Sequence, residues 1–374
     1  MQSKPSKVLF LLPYPLGLAP SQRFRVEMLL PLLDGEGIAY TLRPFLSSKT
    51  WDVLYKGGSI FSKVLGIIKG YFRRLCTVLI EAPDYEVIFI HREAAPMGPP
   101  VFEWYLAKVL KKKIIYDFDD AIWIPNTSAE NKLVTIFKAS GKIRLICQWS
   151  EVISAGNDYL CKFAADNNTA RVVKMPTVVD TLSRYRSAKK QSSGGVNIGW
   201  TGSHSTLKYL DRIVPVLKEL RKTTPFDFLV IADKKPALDI NDWTFIPWSA
   251  ASEIEDLQKI DIGLMPLEQD EWAEGKCGFK LIQYLALGIP AIASPVGVNK
   301  QIIEENVNGF LCADDTRWLN ALKTLISDTE LRQRFGEAGR KKIVEEYSIE
   351  GNKEKFLSLF QSGLPLVSRS QPVS

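Results

Sequence analysis

Cysteine and histidine are scarce in this 374-residue chain. The five cysteines, Cys76, Cys147, Cys161, Cys277 and Cys312, are odd in number and widely spaced, with no C-x-x-C pair. That argues against a disulfide framework and a cysteine zinc site, and it fits a reducing cytoplasm. The two histidines, His91 and His204, stand far apart, where a lone histidine is more often structural than catalytic. No apolar run reaches the roughly 18 to 20 residues needed to span a bilayer. No short-period repeat or low-complexity segment precedes the tail "GLPLVSRSQPVS", which is too polar to pack and is expected to be disordered. The N-terminal "MQSKPSKVLFLLPYPLGLAPSQRF" has a basic start and a short apolar run. Its prolines and the lack of an A-x-A site favour a buried first strand over a signal peptide.

What is present is the composition of a soluble globular protein, 46% hydrophobic and 24% charged. A net charge of +6 permits an anionic partner without pointing to nucleic acid. The length favours two domains. Short apolar runs recur at "VLFLL", "YEVIFIH", "KKIIYDF", "EVISAG", "VNIGW", "FDFLVIAD", "DIGLMPL" and "PAIAS", with helical patterns such as "TLKYLDRIVPVLKELRK" between most of them. Strands buried on both faces and alternating with helices predict an α/β protein built on parallel sheets. The alternation breaks at "TLSRYRSAKKQSSGG", residues 181–195, where a surface linker between two doubly wound domains is expected. Such domains bind ligands at the C-terminal ends of their strands, so a cleft between the two is the expected active site.

The stretch "GKCGFKLIQYLALGIP" puts Lys276 and Lys280 around Gly278 at the start of an apolar helix that stops at Gly288. Unpaired amides and the helix dipole already favour an anion there, and Gly278 allows close approach to the backbone. Lysines oppose the dipole unless an anion compensates, which suggests a diphosphate. The alternative is a pair of solvated lysines neutralised by Glu271 or Glu274.

Residues 262–310, through "GFKLIQYLALGIPAIASPVGVNKQIIEENVNGFL", resemble the nucleotide-sugar signature of the group 1 glycosyltransferases of the GT-B fold, often called family four. "RVVKMPTVVD" and "VNIGWTGSHSTLKYL" resemble the segments flanking that family's interdomain linker. The resemblance implies two Rossmann-like domains facing across a cleft, and transfer of a sugar from a nucleoside-diphosphate donor to an acceptor with retention. It also implies an acceptor-binding domain over 1–183, a donor-binding domain over 184–345, a helix over 346–362 returning to the first domain, and the tail 363–374. The family's spaced pair of glutamates falls on Gln283, whose amide still hydrogen-bonds a ribose, and on Gly275. Glu274, one residue away, or Lys276 would fill the first role. The usual Gly-Arg becomes Gly202-Ser203, while Lys208 keeps its place. The expected diphosphate clamp is therefore Lys208, Lys276 and Lys280 with the Gly278 and Phe279 amides. Trp248, in "FIPWSA", is expected at the base.

His91 ends a predicted strand, and the resemblance puts a histidine there beside the donor sugar and acceptor; His204 is expected near the phosphate or sugar. "YDFDDAIW" carries Asp117, Asp119 and Asp120. Its D-F-D could mark a metal site or a helix N-cap, but the preferred role is Asp119 or Asp117 at the acceptor hydroxyl. No metal is expected. Ser21 is a candidate helix cap; the resemblance puts this loop at the donor or acceptor, so Arg23 and Arg25 are candidate acceptor contacts and Arg23 an anion contact, the alternative being a surface arginine. Residues 53–75 hold Lys56, Lys63, Lys69, Arg73 and Arg74 without an acid. They form either a basic amphipathic helix on anionic lipid, implying a lipid-linked glycan acceptor at the cytoplasmic face, or an ordinary helix packed through its apolar side. The overall expectation is a cytoplasmic, membrane-associated enzyme of surface polysaccharide or glycolipid assembly. A non-catalytic glycan-binding scaffold and a nucleotide-sugar epimerase are the alternatives.

Overall fold

The computed structural model of the chain describes residues 7–56, 59–124, 141–186 and 195–361. The chain divides into two compact units, Met1–Pro176 with Lys353–Ser374, and Thr177–Asn352. The expected tail, 363–374, and most of the expected linker lie outside the described residues.

The first unit is built on six parallel strands: β1 (Lys7–Leu12), β2 (Ala39–Pro44), β3 (Val87–His91), β4 (Lys113–Phe118), β5 (Val152–Ala155) and β6 (Arg171–Lys174). They lie in the order β2-β1-β3-β4-β5-β6. β1, β3, β4 and β5 are apolar and buried almost throughout, as expected of strands covered by helices on both faces. Burying each Leu, Ile or Phe there contributes about 1.5–3 kcal/mol. Chain order reverses between β1 and β3, the position where doubly wound sheets open a ligand crevice. Phe360, near the end of the described chain, stacks on Phe89 with centroids 6.1 Å apart and packs at 6.3 Å from Phe10.

The second unit repeats the plan with β7 (Asn197–Gly202), β8 (Asp227–Ala232), β9 (Trp243–Pro247), β10 (Ile262–Met265), β11 (Ala291–Ala293) and β12 (Gly309–Leu311). Their order is β12-β11-β10-β7-β8-β9, so the reversal falls between β7 and β10. Trp200 and Trp318 are fully buried in its core. Residues 184–186 are tied to this unit. Arg340 Nη1 donates to the Tyr185 carbonyl at 2.7 Å and Nη2 to that of Arg186 at 2.7 Å, and the Tyr185 ring is buried.

The basic amphipathic helix forms over Ile60–Cys76, capped by the Ser59 hydroxyl, which accepts from the Ser62 amide. Most of its apolar side is exposed. The buried positions are Gly66, Gly70 and Arg74, four residues apart, where a Cβ on either glycine would overlap Thr50 or Phe45. Arg74 donates to the carbonyls of Ala94 (2.8 Å) and Leu12 (2.9 Å), and burial pushes its guanidinium down to about 9. The core-packed alternative holds only in part: Ile67 and Tyr71 are half-buried, with the Tyr71 ring packed on Phe45 and Phe102, while Val64, Ile68 and Leu75 on the same apolar face are exposed. Among the described residues no helix is long and apolar enough to cross a membrane.

Candidate functional site

Each unit carries candidate groups at its own point of strand reversal. In the first, parallel register sets His91 beside Asp117, and Asp117 beside Ser154, at the C-terminal ends of β3, β4 and β5. In-register partners on parallel strands point to the same face, so the row becomes a hydrogen-bonded chain. His91 Nδ1 lies 2.8 Å from Asp117 Oδ2, and Ser154 Oγ donates to Asp117 Oδ1 at 2.6 Å. Arg25 closes it, with Nε at 3.3 Å from Asp117 Oδ2 and Nη2 paired to Oδ1 and 3.1 Å from Ser154 Oγ. Burial alone would raise the Asp117 carboxyl, but Arg25 and the His91 hydrogen bond outweigh it and hold the group well below the usual carboxylate range. An ionised Asp117 accepts from Nδ1–H, so in the neutral imidazole Nε2 is the acceptor nitrogen of His91, whereas the imidazolium donates from both nitrogens. Ser21 Oγ lies 3.0 Å from that nitrogen.

Two expectations change here. Asp117 and Arg25 are 1% and 2% exposed and bonded to each other, so they brace His91 from behind and do not face an acceptor. Arg23 is buried on the same short helix, Pro20–Arg25, with its guanidinium 5.0 Å from the Phe24 ring. Ser21 is not a cap: Ala19 holds the N-cap position without a side-chain bond, and the Ser21 hydroxyl goes to His91.

Asp119 follows β4 beside Asp120, and no helix begins behind the pair within the described residues to 124. Both carboxylates lie 3.2 Å from Arg92 Nη1, which also reaches Ser21 Oγ at 3.4 Å. Arg92 was not predicted, yet it carries a mark of a functional position. Its φ of +61° is left-handed in a residue with a Cβ, a conformation that costs on the order of 1–2 kcal/mol. Two hydrogen bonds hold it: its amide donates to the Asp117 carbonyl at 2.7 Å, and its carbonyl accepts from Tyr116 Oη at 2.7 Å. The first unit thus presents Ser21, Arg92 and Asp119 in front of a rigid His91–Asp117–Arg25 base. Among the described residues no three His, Cys, Asp or Glu side chains gather to hold a metal ion.

In the second unit, β7 ends at Gly202, and the apolar helix Phe279–Ala286 starts from Gly278, whose φ is +65°. A Cβ at Gly278 would also run into Ile302 and touch Val298 at 3.0 Å, so glycine is required twice over. Lys280, in the first turn, crosses over Gly202 so closely that a Cβ there would sit 2.8 Å from Lys280 Cε. The lysines lie over aromatic faces: Lys280 Nζ is 5.2 Å from the Trp200 centroid, Lys276 Nζ 4.7 Å from Trp272, and Lys208 Nζ 5.0 Å from Tyr209. Cation–π contacts of this length hold an ammonium in place at modest energy. Glu274 ends the short helix Glu271–Glu274 that Asp270 caps. Ser203 and His204 are exposed in the loop after β7, with His204 Nδ1 2.7 Å from Asp233 Oδ2.

Gln283 is buried in the same helix, and its Nε2 donates to Tyr185 Oη at 3.0 Å and to Glu253 Oε1 at 3.4 Å. Glu253, buried and unforeseen, also accepts from Trp248 Nε1 at 3.3 Å and pairs with Arg184 at 2.9 Å. Gln283 and Trp248 are therefore brought together around one carboxylate. The signal that could have found it was an acidic run, "SEIEDL", directly after "FIPWSA".

A glycine-started helix bearing lysines at the reversal point of a doubly wound unit defines a class. Residues 198–342 match the family described as glycosyl transferases group 1. Through this segment, less than half of its length, the chain is similar to that family, and its two six-stranded parallel sheets have the Rossmann-like arrangement of the GT-B fold. Among curated proteins it is similar to TuaH of Bacillus subtilis (strain 168), named for teichuronic acid biosynthesis as a glycosyltransferase. The identity is 26% over 233 residues, covering 53% of this chain and 55% of the relative. The match thus spans about half the length of that relative. Two solved structures share the fold over nearly the whole chain. Sucrose-phosphate synthase from Thermosynechococcus elongatus has a TM-score of 0.68 at 11% identity, covering 95% of this chain and 98% of its own. Anabaena HepE in complex with UDP and glucose has 0.63 at 12%, covering 94% and 98%.

Proposed function

We propose that the protein is a glycosyltransferase that moves a sugar from a nucleoside-diphosphate sugar to a glycan or lipid-linked glycan, with retention, in surface polysaccharide or glycolipid assembly. The observation that carries this reading is the Gly278 helix start with Lys280 laid over Gly202, inside the segment that matches the family. The positive end of the helix at its first turn and the two ammonium groups of Lys276 and Lys280 suit a diphosphate, and their charge stabilises it as a leaving group when the glycosidic bond breaks. Lys208 adds a third cation. Gln283 has both Nε2 hydrogens directed to Tyr185 and Glu253, which turns its Oε1 into the acceptor for a ribose hydroxyl. Trp248 is held by Glu253 at the base.

On the first unit, His91 is a positioning residue. Its Nε2 is hydrogen-bonded to the Ser21 hydroxyl, and that hydroxyl and Arg92 meet the sugar or acceptor. Asp119 takes the acceptor's proton or binds its hydroxyl. Its carboxylate is already neutralised by Arg92, so the reading expects no divalent ion at the D-F-D segment. Enzyme activity in a reducing, cytoplasmic setting agrees with five free cysteines.

The test is calorimetric titration with UDP, GDP, ADP and CMP, first after chelation and then with magnesium. UDP, the nucleotide bound in the HepE structure, is the first to try. Selective metal-independent binding of one diphosphate is expected. Binding only with magnesium would overturn the metal-free part, and no binding at all would favour a non-catalytic scaffold.

A further inference from the structure

We infer that the helix Ile60–Cys76 docks this protein on an anionic lipid surface. The inference stands on the first unit alone and does not depend on the transferase reading. Phe61, Val64, Leu65, Ile68, Phe72 and Leu75 are between 39% and 76% exposed. Their spacing puts them on one side of the helix, directly opposite the buried Gly66, Gly70 and Arg74. The ridge continues through Leu79 and Ile80, at 47% and 72% exposure. Contiguous exposed apolar patches of this extent are uncommon on a monomer and mark an interaction surface.

The charge beside the ridge selects the occupant. The helix holds Lys63, Lys69, Arg73 and Arg74 and no acid. Lys69 and Arg73 flank the ridge on one side, both exposed, and Lys69 makes no ion pair among the described residues. Arg73 Nη2 donates to the Phe45 carbonyl, which fixes its guanidinium at the rim. Between them and the preceding helix lies an open groove of about 460 Å³, lined by Ser47, Thr50, Ile68, Lys69, Phe72 and Arg73. Two cations and two hydroxyls beside apolar walls match a phosphate headgroup with its acyl chains. A helix face that is apolar at its crest and basic at its shoulder lies in the plane of a bilayer interface, its side chains reaching the acyl boundary and its cations the headgroups. A second copy of the chain would bring the same cations against one another, which disfavours self-association through this face.

The experiment is flotation of the full-length protein with two sets of vesicles, one of neutral phosphatidylcholine and one in which about a third is anionic phosphatidylglycerol. Binding to the anionic vesicles is expected, with weak retention on neutral ones. Phe72→Asp and Phe61→Asp, made separately, should each lower bound protein about tenfold, and Lys69→Glu should do so on anionic vesicles only. Because all three side chains are exposed, the thermal midpoint should not move, which separates lost docking from lost folding. Equal binding to both vesicle types would overturn the inference, as would wild-type binding by both aspartate variants. Sedimentation without lipid decides the rival: a dimer that Phe72→Asp dissolves would assign the ridge to a second copy instead.

Discussion

Replacing Asp117 with alanine should destabilise the first unit more than any single change at its surface. The carboxylate is 1% exposed and holds Arg25, His91 and Ser154 at once. Without it the Arg25 guanidinium, 2% exposed, loses its carboxylate partner and is left with neutral acceptors such as the Met175 carbonyl and the Ser154 hydroxyl. A buried charge stripped of its partner costs about 3–5 kcal/mol, whereas removing both charges together costs far less. Arg25→Met with Asp117→Asn, which retains an acceptor for His91 Nδ1, should therefore recover most of the loss and stand within about 1–2 kcal/mol of the wild type. Urea unfolding followed by circular dichroism and by tryptophan fluorescence measures all three. The pH dependence carries a sign. The folded carboxyl is held below its unfolded value, near 3.9, so its stabilisation is complete above about pH 4 and fades as pH falls below that. The gap between wild type and Asp117→Asn should narrow accordingly. A loss under about 1 kcal/mol in Asp117→Ala, or a double variant no better than the single ones, would refute the argument that this pair braces His91.

Gly278→Ala should cost at least about 1–2 kcal/mol, since the left-handed φ and the collision with Ile302 act together; chemical denaturation of the variant reads it directly. Lys280→Ala should weaken the preferred nucleoside diphosphate about tenfold in a calorimetric titration, and an unchanged affinity would remove Lys280 from the clamp. Ser21→Ala leaves the buried brace intact, so its unfolding curve should match the wild type while turnover falls, and His91→Ala should add little further loss in the double variant if the two act as one unit.

The interior of both sheets was legible and the edges were not, for one physical reason. The eight apolar runs read from sequence are β1, β3, β4, β5, β7, β8, β10 and β11, all inside the sheets. The four strands not read as apolar runs, β2, β6, β9 and β12, are the four edges. An edge strand pairs on one side only and meets solvent, so Ala39–Pro44, Arg171–Lys174 and Trp243–Pro247 are only partly buried and show no continuous apolar signature. Site residues divide similarly. The helix start at Gly278 was legible because its signal is local and reads along the chain. The braced His91 was only half legible, because Asp117, Ser154 and Arg25 meet through strand register across as many as 150 residues, from Arg25 to Met175. Glu253 escaped for the same reason, being joined to Gln283, 30 positions away, only by folding. The helix Ile60–Cys76 shows the opposite limit. Its period was plain, but a period says which residues share a side and not which side faces the protein. That answer lay in Gly66 and Gly70, the only positions on the helix small enough to bring its backbone against Thr50 and Phe45, and with them most of the apolar side is forced outward.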